Sequence, residues 1–169
     1  MIVDLDLHGK SVIVIGSGIE VLRKIHGLLG QGCNIVVITN RLNRHLSYLS
    51  EHGKIKIDKT RLNNISSILD GYKNPYLVLA ATNDKALNRR LADKGRQTGS
   101  FVYTADDPEY SDFSYLATIN IEDMMQIGIS TSGRSPIIAR IIRIRVEKIL
   151  RRMLKQNSLD YKIEGLKNR

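Results

Sequence analysis

Ser11 to Lys24, SVIVIGSGIEVLRK, is the stretch on which the fold turns. Val12 to Ile15 is a short apolar run of the kind found in a strand buried on both faces. Gly16-Ser17-Gly18 follows as a tight turn, and from Ile19 the apolar residues take up helical spacing. In a βαβ unit the first glycine permits the turn and the second lets backbone approach a pyrophosphate. The helix N-terminus then offers free N–H groups and a positive dipole end to the anion. The stretch therefore predicts the front half of a dinucleotide-binding unit. Its third small position falls on Val21, where Gly or Ala usually allows close helix–strand packing. On these residues alone a purely structural strand-turn-helix corner stays open.

Working outward, strand-like runs recur at Ser11 to Ile15, Asn34 to Thr39, Lys54 to Ile57, Tyr76 to Ala80 and Phe101 to Tyr103, with helix-length segments between them. That alternation predicts a parallel sheet. The expected crossover helices are Ile19 to Leu29, with Val21, Leu22, Ile25, Leu28 and Leu29 inward; Asn43 to His52, with Leu46 and Leu49 inward; Asn63 to Leu69; and Asp84 to Gln97, capped by Asp84, with Leu87, Leu91 and Ala92 as its apolar face. After Tyr103 the pattern changes. A loop at Asp106 to Asp112 leads into Tyr115 to Ile121 and Met125 to Ile129, an expected antiparallel pair that is marginal alone and reads as a dimerisation element. Ser132-Gly133-Arg134-Ser135-Pro136 then introduces the longest helix, with Ser135 as cap and Pro136 at its first position. Ile138, Ile142, Val146, Ile149 and Met153 form an apolar stripe along it, and Lys148, Arg151, Arg152 and Lys155 a basic one. A final short helix is expected over Ser158 to Leu166.

A length of 169 residues allows roughly one domain and an appendage, with a core that needs no disulfide staples. The one cysteine, Cys33, leads an apolar run and is expected to pack. The opening MIVDLDLHGK carries two aspartates where a secretory signal has positive charge, and no stretch approaches the ~18 apolar residues of a membrane span. A cytoplasmic protein that does not engage a membrane is expected. The four histidines show no paired metal spacing, so no metal site is expected. Lys and Arg number 26 against 17 Asp and Glu, and the excess is uneven: residues 134–169 hold 11 basic and 3 acidic side chains, the first 133 residues 15 and 14. A near-neutral body thus carries a strongly positive end. Such an end attracts nucleic acid, a membrane surface or a polycarboxylate, or is simply a solvated helix face.

Three further segments sharpen the reading: Ala80-Ala81-Thr82-Asn83-Asp84 with Asn88; Asp106-Asp107-Pro108 with Asp112-Phe113; and Ile129 to Pro136 with Ala139-Arg140. In this order and spacing, and together with the glycine turn, they resemble the precorrin-2 dehydrogenase family, the NAD-dependent part of siroheme synthase. The resemblance runs from Leu5 to about Leu154. It implies oxidation of precorrin-2 to sirohydrochlorin, joined in bifunctional members by iron insertion, and a homodimer. The fold it implies is α/β: a Rossmann-type parallel sheet over 1–113, a β-rich dimerisation extension over 114–133 and a small basic helical region over 134–169.

Position by position, the resemblance places Gly16, Ser17, Gly18 and Ile19 on the cofactor turn, with Arg23-Lys24 as the basic pair behind it. Thr39 and Asn40 fall near the adenosine ribose, and Ala81 and Thr82 on the nicotinamide side. Asp106 becomes the essential carboxylate; it follows the fifth strand, where ligands gather outside a parallel sheet, although Asp106-Asp107-Pro108 also suits a plain turn. Thr131 and Ser132 line the tetrapyrrole cleft, and Arg134 and Arg140 suit the acetate and propionate arms of the substrate. NAD is the implied cofactor. The acid that commonly binds its ribose is absent: the second strand ends in Thr39-Asn40-Arg41 and the next acid is Glu51, so Arg41 or Arg44 leaves NADP open. The rival readings are a dinucleotide-sensing module whose basic helix docks on nucleic acid, for which no recognition motif is visible, and a different oxidoreductase on the same scaffold.

Overall fold

The structure is a computed structural model that describes residues 2–59, 65–121 and 125–167, with backbone alone at 65–66 and 156–167. Val3–Ser114 form one compact unit; the chain from Tyr115 onward, together with Ile2, forms a second. Asn63 and Asn64 of the expected third crossover lie outside the described residues.

In the first unit β1 (Ser11–Ile15), β2 (Asn34–Ile38), β3 (Lys56–Asp58), β4 (Leu77–Ala80) and β5 (Phe101–Thr104) make one sheet in the order β3-β2-β1-β4-β5. Every pairing is parallel. The crossovers are α1 (Ile19–Leu28), α2 (Arg44–Glu51), α3 (Ile65–Asp70) and α4 (Lys85–Gln97). Strand alternation divides β1 between two cores. Val12 and Val14 join Val21, Ile25 and Leu28 of α1 with Leu46 and Leu49 of α2, while Ile13 and Ile15 join Leu87, Leu91 and Ala92 of α4 with Ile68 and Leu69 of α3. Each Val, Leu or Ile side chain among them stabilises the fold by about 1.5–3 kcal/mol relative to exposure. Because both faces are covered, the strands read as continuous apolar runs rather than alternating ones.

Side-chain caps begin α2 and α4, the second as expected. Asn43 Oδ1 accepts from the backbone N–H of Leu46 at 2.9 Å, and Asp84 Oδ1 from that of Leu87 at 3.0 Å. Gly95 sits inside α4 against β4 and β5: a Cβ there would lie 2.8 Å from Val102 Cγ1 and 3.3 Å from Val78 Cβ. Its missing side chain brings the helix down onto the sheet, which offsets the ~1 kcal/mol that glycine costs a helix interior. The exposed edge of β5 is closed by its own downstream loop. Asp112 Oδ2 accepts from Val102 N at 2.9 Å, Asp112 N donates to Val102 O at 2.9 Å, and Ser111 Oγ accepts from Thr104 N at 2.9 Å. Cys33 is half-buried against the first core, and burial pushes its thiol above the ordinary value.

The second unit pairs β6 (Ala117–Ile121) with β7 (Met125–Ile129) antiparallel, and α5 (Pro136–Lys167) lies along them. Two expectations need correcting. No separate helix covers Ser158 to Leu166: α5 runs through, because neither Gly nor Pro interrupts the chain between Pro136 and Gly165. The apolar stripe is also rotated. Ala139, Arg143, Val146, Glu147, Leu150 and Leu154 form the less exposed side, whereas Ile138, Ile142, Ile149 and Met153 are exposed at 52%, 41%, 58% and 56%. Isoleucines surround this helix, so spacing alone does not choose among its faces. Among the described residues no helix is long and apolar enough to cross a membrane.

Candidate active site

The carboxyl ends of β1 and β4 meet where the strand order reverses, the crevice in which open parallel sheets collect ligands. Gly16 lies there at φ 130°. A Cβ on it would stand 2.4 Å from the Ala81 carbonyl oxygen and 3.0 Å from Val21 Cγ2. Gly16 is therefore demanded by the protein itself, and Val21, at the unusual third position of the fingerprint, reaches over it from α1. Gly18 is different: its φ is −76° and nothing stands within 4 Å of where its Cβ would be. It is the N-cap of α1 and supplies no side chain to the first N–H groups, while the neighbouring Ile19 is 70% exposed. An open approach, an uncapped helix start and an exposed apolar side chain fit an anion carried on an organic body. Behind the turn, Arg23 Nη1 and Lys24 Nζ meet Glu20 at 3.2 and 3.3 Å, and Lys24 lies 4.2 Å from the Tyr103 ring centroid.

The β2 end is held by its own polar groups. Thr39 is buried; its Oγ1 donates to Arg41 O at 2.9 Å and accepts from Arg41 N at 3.1 Å. That hydroxyl shapes the turn, while Asn40, Arg41 and Arg44 are exposed beyond it. Asn43, which the sequence marks only as the start of the second crossover, also donates from Nδ2 to the Ser17 carbonyl at 3.3 Å and so ties the glycine turn to α2.

The β4 and β5 ends are joined by Asn88, which is completely buried. Its Oδ1 accepts from Thr82 N at 3.0 Å and Thr82 Oγ1 at 2.7 Å; its Nδ2 donates to Thr82 O at 3.1 Å and to Asp106 Oδ1 at 2.6 Å. Asp106 Oδ2 is buried and has no hydrogen-bond partner among the described residues. The neighbouring Asp107 is paired with a cation instead: Arg89 reaches its Oδ2 with Nη2 at 2.7 Å and Nε at 3.2 Å. That hydrogen-bonded guanidinium holds the Asp107 carboxyl below its ordinary range. Of the two adjacent aspartates, Asp107 is thus held by a guanidinium and Asp106 by a neutral amide.

In the second unit Thr131, Ser132 and Arg134 form the turn before α5. Thr131 Oγ1 accepts from Ser135 N and donates to Ser135 O, both at 3.1 Å. Ser132 takes φ 51°, a left-handed conformation that costs a non-glycine residue roughly 1–2 kcal/mol. Ser135 Oγ accepts from Ile138 N at 3.2 Å, capping α5 as expected. Arg134 and Arg140 are exposed. The structure thus brings Gly16, Ala81, Thr82 and Asp106 into one connected group and places Thr131, Ser132 and Arg134 in another. Asn88 is the member that sequence reasoning passed over as a site residue. Its signal was a polar side chain in step with Leu91, Ala92 and Gly95 on the packed face of α4.

A parallel sheet in this order, with an open glycine corner where the strand order reverses, is the architecture of a dinucleotide-binding domain. The chain belongs to the family described as "Putative NAD(P)-binding", whose model matches residues 3–117. Curated relatives include siroheme synthase of Neisseria meningitidis serogroup C, 34% identical over 147 residues, or 86% of this chain and 29% of that protein. Siroheme synthase of Nitrosococcus oceani is 30% identical over 146 residues, 86% of this chain and 30% of that protein. The chain therefore spans under a third of the length of these relatives. A solved structure of SirC, a precorrin-2 dehydrogenase, superposes with a TM-score of 0.73 at 25% identity, covering 88% of this chain and 70% of that one. The names of these relatives and of this solved structure are those of the family that the motifs resemble.

Proposed function

We propose that this chain is an NAD-dependent dehydrogenase that oxidises precorrin-2 to sirohydrochlorin. The observation that carries the reading is the buried Asp106 carboxylate. One oxygen is held by Asn88, the other is unpartnered among the described residues, and the group is tied through Thr82 to the strand end that packs on Gly16. Gly16, Ser17, Gly18 and Ile19 would hold the pyrophosphate side of the dinucleotide, Asn40 the adenosine ribose at the turn that Thr39 shapes, and Ala81 and Thr82 the nicotinamide side. When bound, the nicotinamide supplies a two-electron acceptor that takes up a hydride. Asp106 Oδ2 accepts the proton that leaves the same macrocycle, so the substrate loses two hydrogens and gains one double bond. Thr131, Ser132, Arg134 and Arg140 are assigned to the substrate, whose carboxylate arms suit forked guanidinium donors. The relatives' names and the SirC likeness support the same substrate. We assign its work to the cytoplasm, where a lone thiol stays reduced.

The test is direct. Purified protein with freshly prepared precorrin-2 and NAD should give the sirohydrochlorin visible spectrum in step with reduced cofactor, and NADP in its place should give a lower kcat/KM. A spectrum unchanged with either cofactor would sink the reading.

We further infer a homodimer built through the second unit. Ile137, Ile141 and Ile144 on one side of α5, and Ile138, Ile142, Ile149 and Met153 on another, are all exposed by 41% or more. Apolar area of that extent marks an interface. Light scattering at micromolar concentration should return twice the chain mass, and a monomer would contradict it.

A further inference from the structure

We infer that Asn88 is the positioning residue of the reaction: it aims the Asp106 carboxylate and fixes it to the segment assigned to the nicotinamide side. The inference rests on the dehydrogenase reading above. Asn88 stands on the side of α4 that packs against the sheet, in step with Leu91, Ala92 and Gly95, where a leucine would contribute more burial at no polar cost. The buried amide is sustained because its full capacity is used: two hydrogen bonds accepted and two donated.

The amide's direction follows from those partners. The Thr82 backbone N–H can only donate, so the atom facing it is Oδ1, and Nδ2 must face Asp106. A donor 2.6 Å from Asp106 Oδ1 holds that oxygen by a charge-assisted bond and leaves Oδ2 as the oxygen without a partner among the described residues. The same amide grips Thr82 by its N–H, its carbonyl and its hydroxyl. Thr82 directly follows Ala81, whose N–H donates to Ile15 O at 2.9 Å and whose carbonyl lies over Gly16. Cofactor-side backbone and carboxylate are therefore fixed to one another through a single side chain. Asp112, a further acid in that loop, is engaged with Val102 and Arg96, as Asp107 is with Arg89.

Two substitutions test this. Asn88→Asp keeps an oxygen towards Thr82 but turns a second carboxylate towards Asp106; Asn88→Ser removes the contact without adding bulk. Melting and dinucleotide titration give the folded, binding-competent fraction, to which kcat is normalised. For Asn88→Asp we expect kcat at neutral pH to fall by about 10–100-fold while both KM values stay within about threefold. Activity should recover as pH falls, because a proton shared between two facing carboxyls restores a donor towards Asp106. Asn88→Ser should lose kcat without any recovery in acid. Losses that only track the folded fraction, with an unchanged pH profile, would make Asn88 purely structural and overturn the inference. An Asp106→Asn protein that still turns over would remove the carboxylate assignment beneath it. An inactive Asp106→Asn beside a fully active Asn88→Asp would remove the positioning role alone.

Discussion

Asp106→Asn is expected to lower precorrin-2 oxidation by about 10²–10⁴-fold, the range a positioned general base contributes, in a protein that melts as the unsubstituted one does. The structure allows so clean a separation because the two carboxylate oxygens differ. Oδ1 accepts from Asn88 and Oδ2 is buried without a partner among the described residues. An asparagine keeps an oxygen towards Asn88 and replaces only the unpartnered atom, so the packing around α4 is untouched. Asp106→Ala behaves differently, since it strands the buried Asn88 Nδ2 and costs about 1–3 kcal/mol of stability besides activity. A cofactor-dependent assay of both variants, paired with thermal melts, separates chemistry from folding. Near-normal turnover in either would mean that the proton goes elsewhere.

The two glycines of the corner should part company under the same substitution. Gly16→Ala places a methyl 2.4 Å from the Ala81 carbonyl oxygen at φ 130°. The backbone strain costs about 1–3 kcal/mol and the overpacking about 1–3 kcal/mol more. A loss of about 2–6 kcal/mol lowers the melting temperature of a chain this size by roughly 4–24 °C. Gly18→Ala meets no neighbour within 4 Å at φ −76°, so its stability should stay within about 0.5 kcal/mol. Its dinucleotide affinity should nevertheless fall by about tenfold or more, since the new methyl occupies the approach a pyrophosphate requires. Differential scanning and dinucleotide titration of the pair decide it. Equal affinity in Gly18→Ala and the unsubstituted protein would show that the open corner is not where the cofactor lies.

Much of this was legible because local chemistry dictated it. The succession of β1 to β5 along the chain followed from apolar runs separated by helix-length segments, and the starts of α4 and α5 from Asp84 and Ser135, whose side chains accept from the N–H groups they were expected to cap. Reading was weaker where several registers satisfy the same pattern. Isoleucines on every side of α5 let a stripe through Ile138 and Ile142 look inward, when Ala139, Val146 and Leu150 lie on the less exposed side. Thr39 was singled out for a ligand, yet its hydroxyl is occupied by the backbone of Arg41. Hydrogen bonds across a two-residue turn leave no trace in spacing.

By itself the sequence determined the parallel sheet, the glycine corner and the presence of two adjacent aspartates beyond β5, because burial period, turn chemistry and caps act over a few residues. Tertiary structure decided which aspartate is available. Asp107 is taken by Arg89 and Asp106 is oriented by Asn88, partners 18 residues away along the chain in each case. It likewise separated Gly16, which a carbonyl from β4's end forbids to be anything else, from Gly18, which the protein leaves open. Such choices rest on which atoms the folded sheet brings within a few ångströms, and no local pattern encodes that.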